Sequence, residues 1–232
     1  MKHKDNISVI MSAYNSETSI FNSVKSILDQ SYENLNLLVI DDFSNDKTFE
    51  ILKDIAKSDE RLNIYSNNKN IGLTKSLNKL IKISTGQYIA RQDADDLSSK
   101  TRLEDQIKFL NNSNFHACTT RAVSLQNKNK KIPAISYYFP KKISMRYKNP
   151  FIHGSLMIQA DVLRSVGGYD DNFKYAQDYK LFIDLIKKGY KIKTLNKTLY
   201  SLNTKNNISE IYKKEQKKYF DQAKKVYKNK LN

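Results

Sequence analysis

Cysteine occurs once in the 232 residues, at Cys118, and tryptophan not at all. A single cysteine excludes an internal disulfide, and a reducing compartment is the expected setting. No zinc-ligand spacing, RNP-type motif or glycine-rich RNA-binding loop occurs, so nucleic acid is not an expected partner. No apolar run approaches the roughly 18 residues needed to span a bilayer. The segment Met1–Asn6 lacks the apolar core of a secretory signal, and no internal repeat is found. Of the three prolines, Pro133 and Pro140 fall in one stretch, 132–149, which has no clear period and is expected to be a loop.

Acidic residues are outnumbered, 24 against 40 lysines and arginines, which gives a net charge of +16. Such charge fits an anionic membrane face or nucleic acid. It also fits a chain in which Lys, Asn and Ile are simply abundant. Hydrophobic residues make up 39% and aromatic residues 11%. That is enough for one sizeable α/β domain or two halves sharing a core.

The N-terminal half alternates buried-strand and helix patterns. Ile7–Ala13 is an apolar run, followed by a helix through Ile20, Val24, Ile27 and Leu28. Leu35–Ile40 is a second strand, and Phe49, Leu52, Ile55 and Ala56 mark the helix after it. Leu62–Tyr65 is a third strand. Gly72 opens a helix carrying Leu73, Leu77, Leu80 and Ile81, and Tyr88–Ala90 is the fourth strand. The alternation implies a largely parallel sheet, whose ligands sit beyond the carboxyl ends of the strands. The polar clusters Ala13-Tyr14-Asn15, Asp41-Asp42 and Asp93–Asp96 all fall there.

The last cluster packs three carboxylates, Asp93, Asp95 and Asp96, into four positions. Like charges so close need a cation or a set of donors. One reading is a divalent ion and a diphosphate at the tip of a strand; the other is a solvated acidic turn. Placement at the carboxyl ends favours the first.

Beyond Asp96 the pattern is less regular. Helices are expected over 100–110, 161–166 and 179–188, and strands over 115–125, 155–159 and 190–195. From Ser209 to Leu231 Ile211, Tyr212, Tyr219, Phe220, Ala223, Val226 and Tyr227 line one side and lysines the other. A basic amphipathic helix of this kind lies on an anionic membrane or docks on its own core.

Four segments in this order resemble family 2 glycosyltransferases of the GT-A fold: Ser8–Asn15, Val39–Thr48, Asn70–Asn78 continuing to Arg91–Asp96, and Gly167–Asp170 with Gln177-Asp178-Tyr179. The resemblance runs from Ile7 to about Ser209. It implies an α/β, Rossmann-like, mostly parallel sheet flanked by helices, here with a C-terminal basic amphipathic helix. Residues 1–98 would bind the nucleotide-sugar, 99–208 would form the acceptor-binding and catalytic half, and 209–232 the terminal helix. It implies transfer of a sugar, with inversion, from a UDP-sugar to a saccharide or lipid-linked saccharide acceptor in surface polysaccharide or glycolipid synthesis. Mn2+ or Mg2+ would be the cofactor. The setting would be cytoplasmic, peripheral on the inner face of the membrane.

By the same resemblance Asp95 is the direct metal ligand, with Asp93 nearer the ribose and Asp96 in support. Asp42 accepts from the uracil ring, with Ala13, Tyr14 and Asn15 beside it. Asn70, Gly72 and Arg91 border the nucleotide, Gly72 allowing close backbone approach. Asp178 is the catalytic carboxylate, although its residue type also suits a helix N-cap. His153 is read either as a donor contact or as a structural histidine.

Two departures are visible. The family's Glu-Asp pair is Gln177-Asp178 here, and no arginine or histidine follows the last core strand, leaving Lys205 as a point charge in its place. These departures leave open a second reading, a non-catalytic nucleotide-sugar binder or partner subunit.

Overall fold

The computed structural model describes residues 6–129, 131–133, 141–205 and 212–228. Its parallel half is built from β1 (Ile7–Ala13), β2 (Leu35–Asp41), β3 (Leu62–Ser66) and β4 (Tyr88–Arg91). These pair in the order β3-β2-β1-β4, all parallel. Helices α1 (Ile20–Leu28), α2 (Thr48–Ala56) and α3 (Leu73–Ile83) connect them. The near-continuous apolar runs of β1 and β2 follow from burial on both faces. Their alternation sorts the two faces. Val9, Met11, Leu37 and Val39 pack against α1 and α2. Ile10, Leu38, Ile40 and Ile89 pack on the other face against Leu77, Leu80 and Ile81 of α3.

The second half extends the same sheet. β4 pairs antiparallel with β8 (Met157–Gln159), which pairs with β6 (Ala117–Ser124). β6 runs parallel to β9 (Ile192–Leu202), and β9 pairs with β5 (Leu97–Ser98). β7 (Lys131–Ile132) is a short partner of β6. Helices α4 (Arg102–Asn111), α5 (Lys141–Ser144), α6 (Ala160–Ser165), α7 (Gln177–Lys187) and α8 (Lys213–Lys228) complete the described elements. The division expected at 98/99 therefore falls inside one sheet, and Ile10 and Leu38 share a core cluster with Phe182 and Leu185.

Three expectations change. The strand expected over 190–195 continues to Leu202, because Leu199 and Tyr200 are buried against the sheet. The expected loop 132–149 begins with the last residue of β7 and contains α5, while 134–140 lie outside the described residues. The terminal helix begins at Lys213. Ile211 and Leu231 lie outside the described residues, as do the side chains of Val226 and Tyr227. Its apolar side docks on the protein: Ala223 is fully buried, and the Phe220 ring stacks on Tyr179 with centroids 4.2 Å apart.

Candidate active site

The parallel register sets the strand tips side by side, with Ala13 opposite Asp41, Asp41 opposite Ser66 and Ile10 opposite Arg91. Beyond β1 the chain turns through Tyr14, 46% exposed, and Asn15, whose φ of +48° is left-handed. Asn15 is pinned to the neighbouring tip: its side-chain oxygen accepts from Asn45 N at 2.9 Å, and its N–H donates to Ser44 Oγ at 2.9 Å. Ala13 is fully buried beneath this turn.

Asp42 is 2% exposed. Its Oδ1 accepts from Asn67 Nδ2 at 2.8 Å and from Ile71 N at 2.9 Å, and its Oδ2 from Gly72 N at 2.7 Å. The carboxylate thus holds together the turn that opens α3. Asn70 is exposed on that turn. Gly72 has φ +86°, and a Cβ there would meet nothing within 4 Å. Its glycine suits the left-handed backbone that opens α3.

Arg91 is 1% exposed, so it does not border an open pocket as expected. Its Nη1 donates to Ile10 O at 3.1 Å and Gln92 O at 2.6 Å, and its Nη2 forms an ion pair with Asp93. Its one ion pair among the described residues is with Asp93. The Asp93 N–H donates to Tyr200 Oη at 3.1 Å, and its carbonyl accepts from Ser23 Oγ at 2.7 Å. Asp95 Oδ2 accepts from Asn203 Nδ2 at 3.0 Å. Asp96, 3% exposed, accepts from the Asn203 N–H at 2.6 Å. Asp96 is therefore turned inward and supports the tip from within. Burial, then the Asp93 charge, raises the Asp95 pKa. Burial and the charges of Asp93 and Asp95 hold Asp96 well above the usual carboxylate range. The tip carries negative charge that its own donors do not fully balance.

Asp178 lies in the first turn of α7. The N-cap is Ala176, with φ +51° and no side-chain cap, so Asp178 is not the cap its residue type suggested. Its Oδ2 instead accepts from Asn149 Nδ2 at 2.7 Å. His153, in a short 3-10 turn, shares a 2.6 Å hydrogen bond between Nε2 and Tyr169 Oη. Burial, then the adjacent Arg91, pushes its pKa down to about 4, while Asp93 and Asp178 oppose the shift. Tyr169 is raised by burial and by the same two carboxylates. Asp93 from the β4 tip and Asp178 from α7 therefore flank one His153–Tyr169 pair. Lys205 is exposed just beyond β9, its N–H donating to Asn203 Oδ1 at 3.1 Å.

Four residues of this arrangement escaped sequence reasoning: Asn149, Gly154, Tyr200 and Asn203. A Cβ at Gly154 would lie 2.6 Å from Asp93 Oδ2 and 2.8 Å from Tyr200 Cζ. The glycine lets strand β9 and the acidic tip close on one another. Its place beside His153 was visible in the sequence, but the crowding was not.

A model of glycosyl transferase family 2 matches residues 8–167. The chain belongs to that family. This glycosyltransferase is 34% identical over 200 residues to EpsE of Bacillus subtilis (strain 168), which bears a glycosyltransferase name; the match covers 84% of this chain and 72% of EpsE. It is 29% identical over 195 residues to WfaP of Escherichia coli, named a UDP-Glc:alpha-D-GlcNAc-diphosphoundecaprenol beta-1,3-glucosyltransferase, covering 82% and 74% of the two chains. The fold matches that of the Pyrobaculum calidifontis mannosyltransferase PcManGT, solved with GDP-Man and Mn2+, with a TM-score of 0.76, 19% identity and coverage of 95% and 63%. It also matches S. aureus TarS 1-349 in complex with UDP, with a TM-score of 0.73, 19% identity and coverage of 94% and 65%. The chain spans 39% of a longer TarS chain. These likenesses establish the GT-A fold; the family match itself ends before Asp178.

Among the described residues no three His, Cys, Asp or Glu side chains converge on a point that would hold a metal ion. The acidic tip still fits a divalent cation in a narrower way. Its donors are hard oxygens, suited to Mg2+ or Mn2+, and burial, then the crowding of negative charge, raises Asp95 and Asp96, a crowding that a cation would relieve. Such ions commonly take one or two carboxylates and fill the remaining positions with phosphate and water.

Proposed function

We propose that this glycosyltransferase moves a sugar, with inversion, from a UDP-sugar to a hydroxyl of a saccharide or lipid-linked saccharide acceptor, with Mn2+ or Mg2+ at the acidic tip. The observation that carries the reading is that one short segment, 149–154, meets both carboxylates: Asn149 donates to Asp178 at 2.7 Å, and a Cβ at Gly154 would lie 2.6 Å from Asp93 Oδ2. The Asp178 carboxylate and the acidic tip thereby border one segment of the chain. WfaP, UDP-Glc-dependent by its name, and TarS, solved with UDP-GlcNAc, support the uridine donor. PcManGT, solved with GDP-Man, keeps the guanine alternative in the test.

Asp95, with Asp93, would hold the cation. When bound, it supplies neutralisation of the charge that develops on the departing diphosphate. Arg91 holds Asp93 in an ion pair, and Asn203 holds one oxygen of Asp95. Tyr14, Asn15 and Asn70 form the rim for the base and ribose, with Ala13 buried beneath it and Asp42 fastening the Gly72 turn below. Asp178 takes the proton of the acceptor hydroxyl while that oxygen bonds to the anomeric carbon from the face opposite the leaving group. The bond from the anomeric carbon to the diphosphate breaks and UDP departs. Asn149 fixes the carboxylate for this transfer. His153, kept neutral, borders the donor sugar without adding positive charge. Lys205 contributes a point charge near the phosphates. The work is carried out at the cytoplasmic face of the membrane, in surface polysaccharide or glycolipid synthesis.

The test pairs two measurements. Thermal shifts with UDP, UDP-sugars and GDP, in Mn2+ or Mg2+, are expected to favour uridine. Asp178→Asn is expected to keep that shift and lose transfer by about a hundredfold or more. Transfer at the wild-type rate in Asp178→Asn would defeat the base assignment.

A further inference from the structure

The lysine side of α8 and the turn Ile143–Lys148 adjoin beside the Asp178 end of the site. α8 commits its apolar stripe to its own protein: besides the Phe220–Tyr179 stack, Tyr219 meets Phe173 with centroids 5.8 Å apart. Lys213, Lys214, Lys217, Lys218 and Lys225 are left exposed. At 3.6 residues per turn they fall on one side of the helix together with Lys224. Glu215 and Asp221 offset only part of that charge.

The adjoining turn is apolar as well as basic. Tyr147 is 73% exposed and Ile143 48%, and Arg146 and Lys148 are exposed beside them. Lys224 Nζ lies 5.9 Å from the centre of the Tyr147 ring, so the two elements touch. The turn is also fastened to the catalytic end. The Tyr179 hydroxyl donates to Met145 O, and Asn149, two residues past Tyr147, donates to Asp178. Single exposed apolar side chains are ordinary. A tyrosine and an isoleucine set against a lysine face match the boundary of an anionic bilayer, where aromatic rings sit at headgroup depth and lysines meet anionic lipid.

We propose that this surface docks on an anionic lipid bilayer, with the α8 lysines on the headgroups and Ile143 and Tyr147 at their boundary. Docking there holds Asp178 close to the membrane plane. That the membrane also carries the acceptor rests on the transferase reading above; the bilayer contact does not.

The test is sedimentation of the full chain with vesicles of phosphatidylcholine alone, or of equal parts phosphatidylcholine and phosphatidylglycerol. Pelleting is expected with the anionic vesicles only, and less as salt rises. Lys217→Glu and Lys218→Glu are each expected to lower the partition at least about fivefold. Ile143→Ser with Tyr147→Ser is expected to lower it further at fixed salt. Circular dichroism checks that each variant is folded. UDP binding with Mn2+, read by calorimetry without vesicles, is expected to stay at the wild-type level in all of them. The proposal is overturned by equal pelleting with neutral vesicles, by none with anionic ones, or by charge-reversed variants that pellet like wild type. Binding to duplex DNA that these reversals abolish, without vesicle binding, would assign the surface to nucleic acid and overturn the proposal. Vesicle binding by a chain that ignores UDP would uphold the surface and overturn the donor assignment alone.

Discussion

Asn203 closes over the acidic tip by donating its side-chain amide to Asp95 at 3.0 Å. The same residue gives its N–H to Asp96 at 2.6 Å, so the end of β9 grips two of the three carboxylates. Its side-chain oxygen accepts from Gln126 Nε2 at 2.8 Å, which anchors the grip to the end of β6.

Asn203→Ala keeps the backbone bond and removes the bond to Asp95. Groups that orient a ligand typically contribute tenfold to a hundredfold to metal affinity. The expected result is Mn2+-dependent UDP binding weakened about tenfold, with a stability loss of roughly 1 kcal/mol. Calorimetry with and without Mn2+ checks the first, and urea unfolding the second.

Gly154→Ala places a methyl group 2.6 Å from Asp93 Oδ2 and against the Tyr200 ring. Neither neighbour is free to move, because Asp93 is paired with Arg91 and Tyr200 is 1% exposed. The expected cost is about 1–3 kcal/mol of stability, as for other overpacked sites, together with weaker UDP binding. A wild-type melting temperature and wild-type UDP affinity would show that the tip can relax.

The low His153 pKa has a defined sign. The folded value of about 4 lies below the 6.5 usual for histidine, so in that window the unfolded chain binds more protons. Stability is then fully present above pH 6.5 and declines as pH falls towards 4, by up to about 3 kcal/mol. His153→Gln is expected to flatten that decline. Urea midpoints measured across the window for both proteins decide it; parallel curves would exclude His153 as the source.

Phe220→Ala removes the ring stacked on Tyr179. Phe220 is only partly buried, so the loss is expected below the 3–5 kcal/mol typical of a fully buried phenylalanine, about 2 kcal/mol. Hydrogen exchange along α8 is expected to accelerate before that of α7. Unchanged protection in α8 would mean that Tyr219 and Ala223 alone hold the helix.

Strand and helix periods were legible because both faces of the parallel sheet are covered. Runs such as Ile7–Ala13 must then be apolar on every side, and a sequence displays that directly. The carboxylate tip was legible because three acids in four positions follow directly on the apolar run Tyr88–Ala90, at the carboxyl end of a strand. Asp178 needed the resemblance, since a lone aspartate beside a helix start also reads as a cap. The continuation of β9 to Leu202 was hidden, because the exposed Asn196, Lys197 and Thr198 break the apolar pattern before the buried Leu199 and Tyr200 resume it.

The local chain by itself determined the strands and helices of the parallel half and the place of the acidic tip after its fourth strand, since each depends on neighbours a few residues apart. Only the tertiary structure decided that Arg91 is buried behind Asp93, that Asn203 grips Asp95 and Asp96, and that Gly154 must lack a side chain. It also decided that α8 turns its apolar stripe inward and its lysines outward. Those outcomes depend on groups brought together from distant parts of the chain, where burial and crowding set each side chain's role, and no pattern within one segment encodes them.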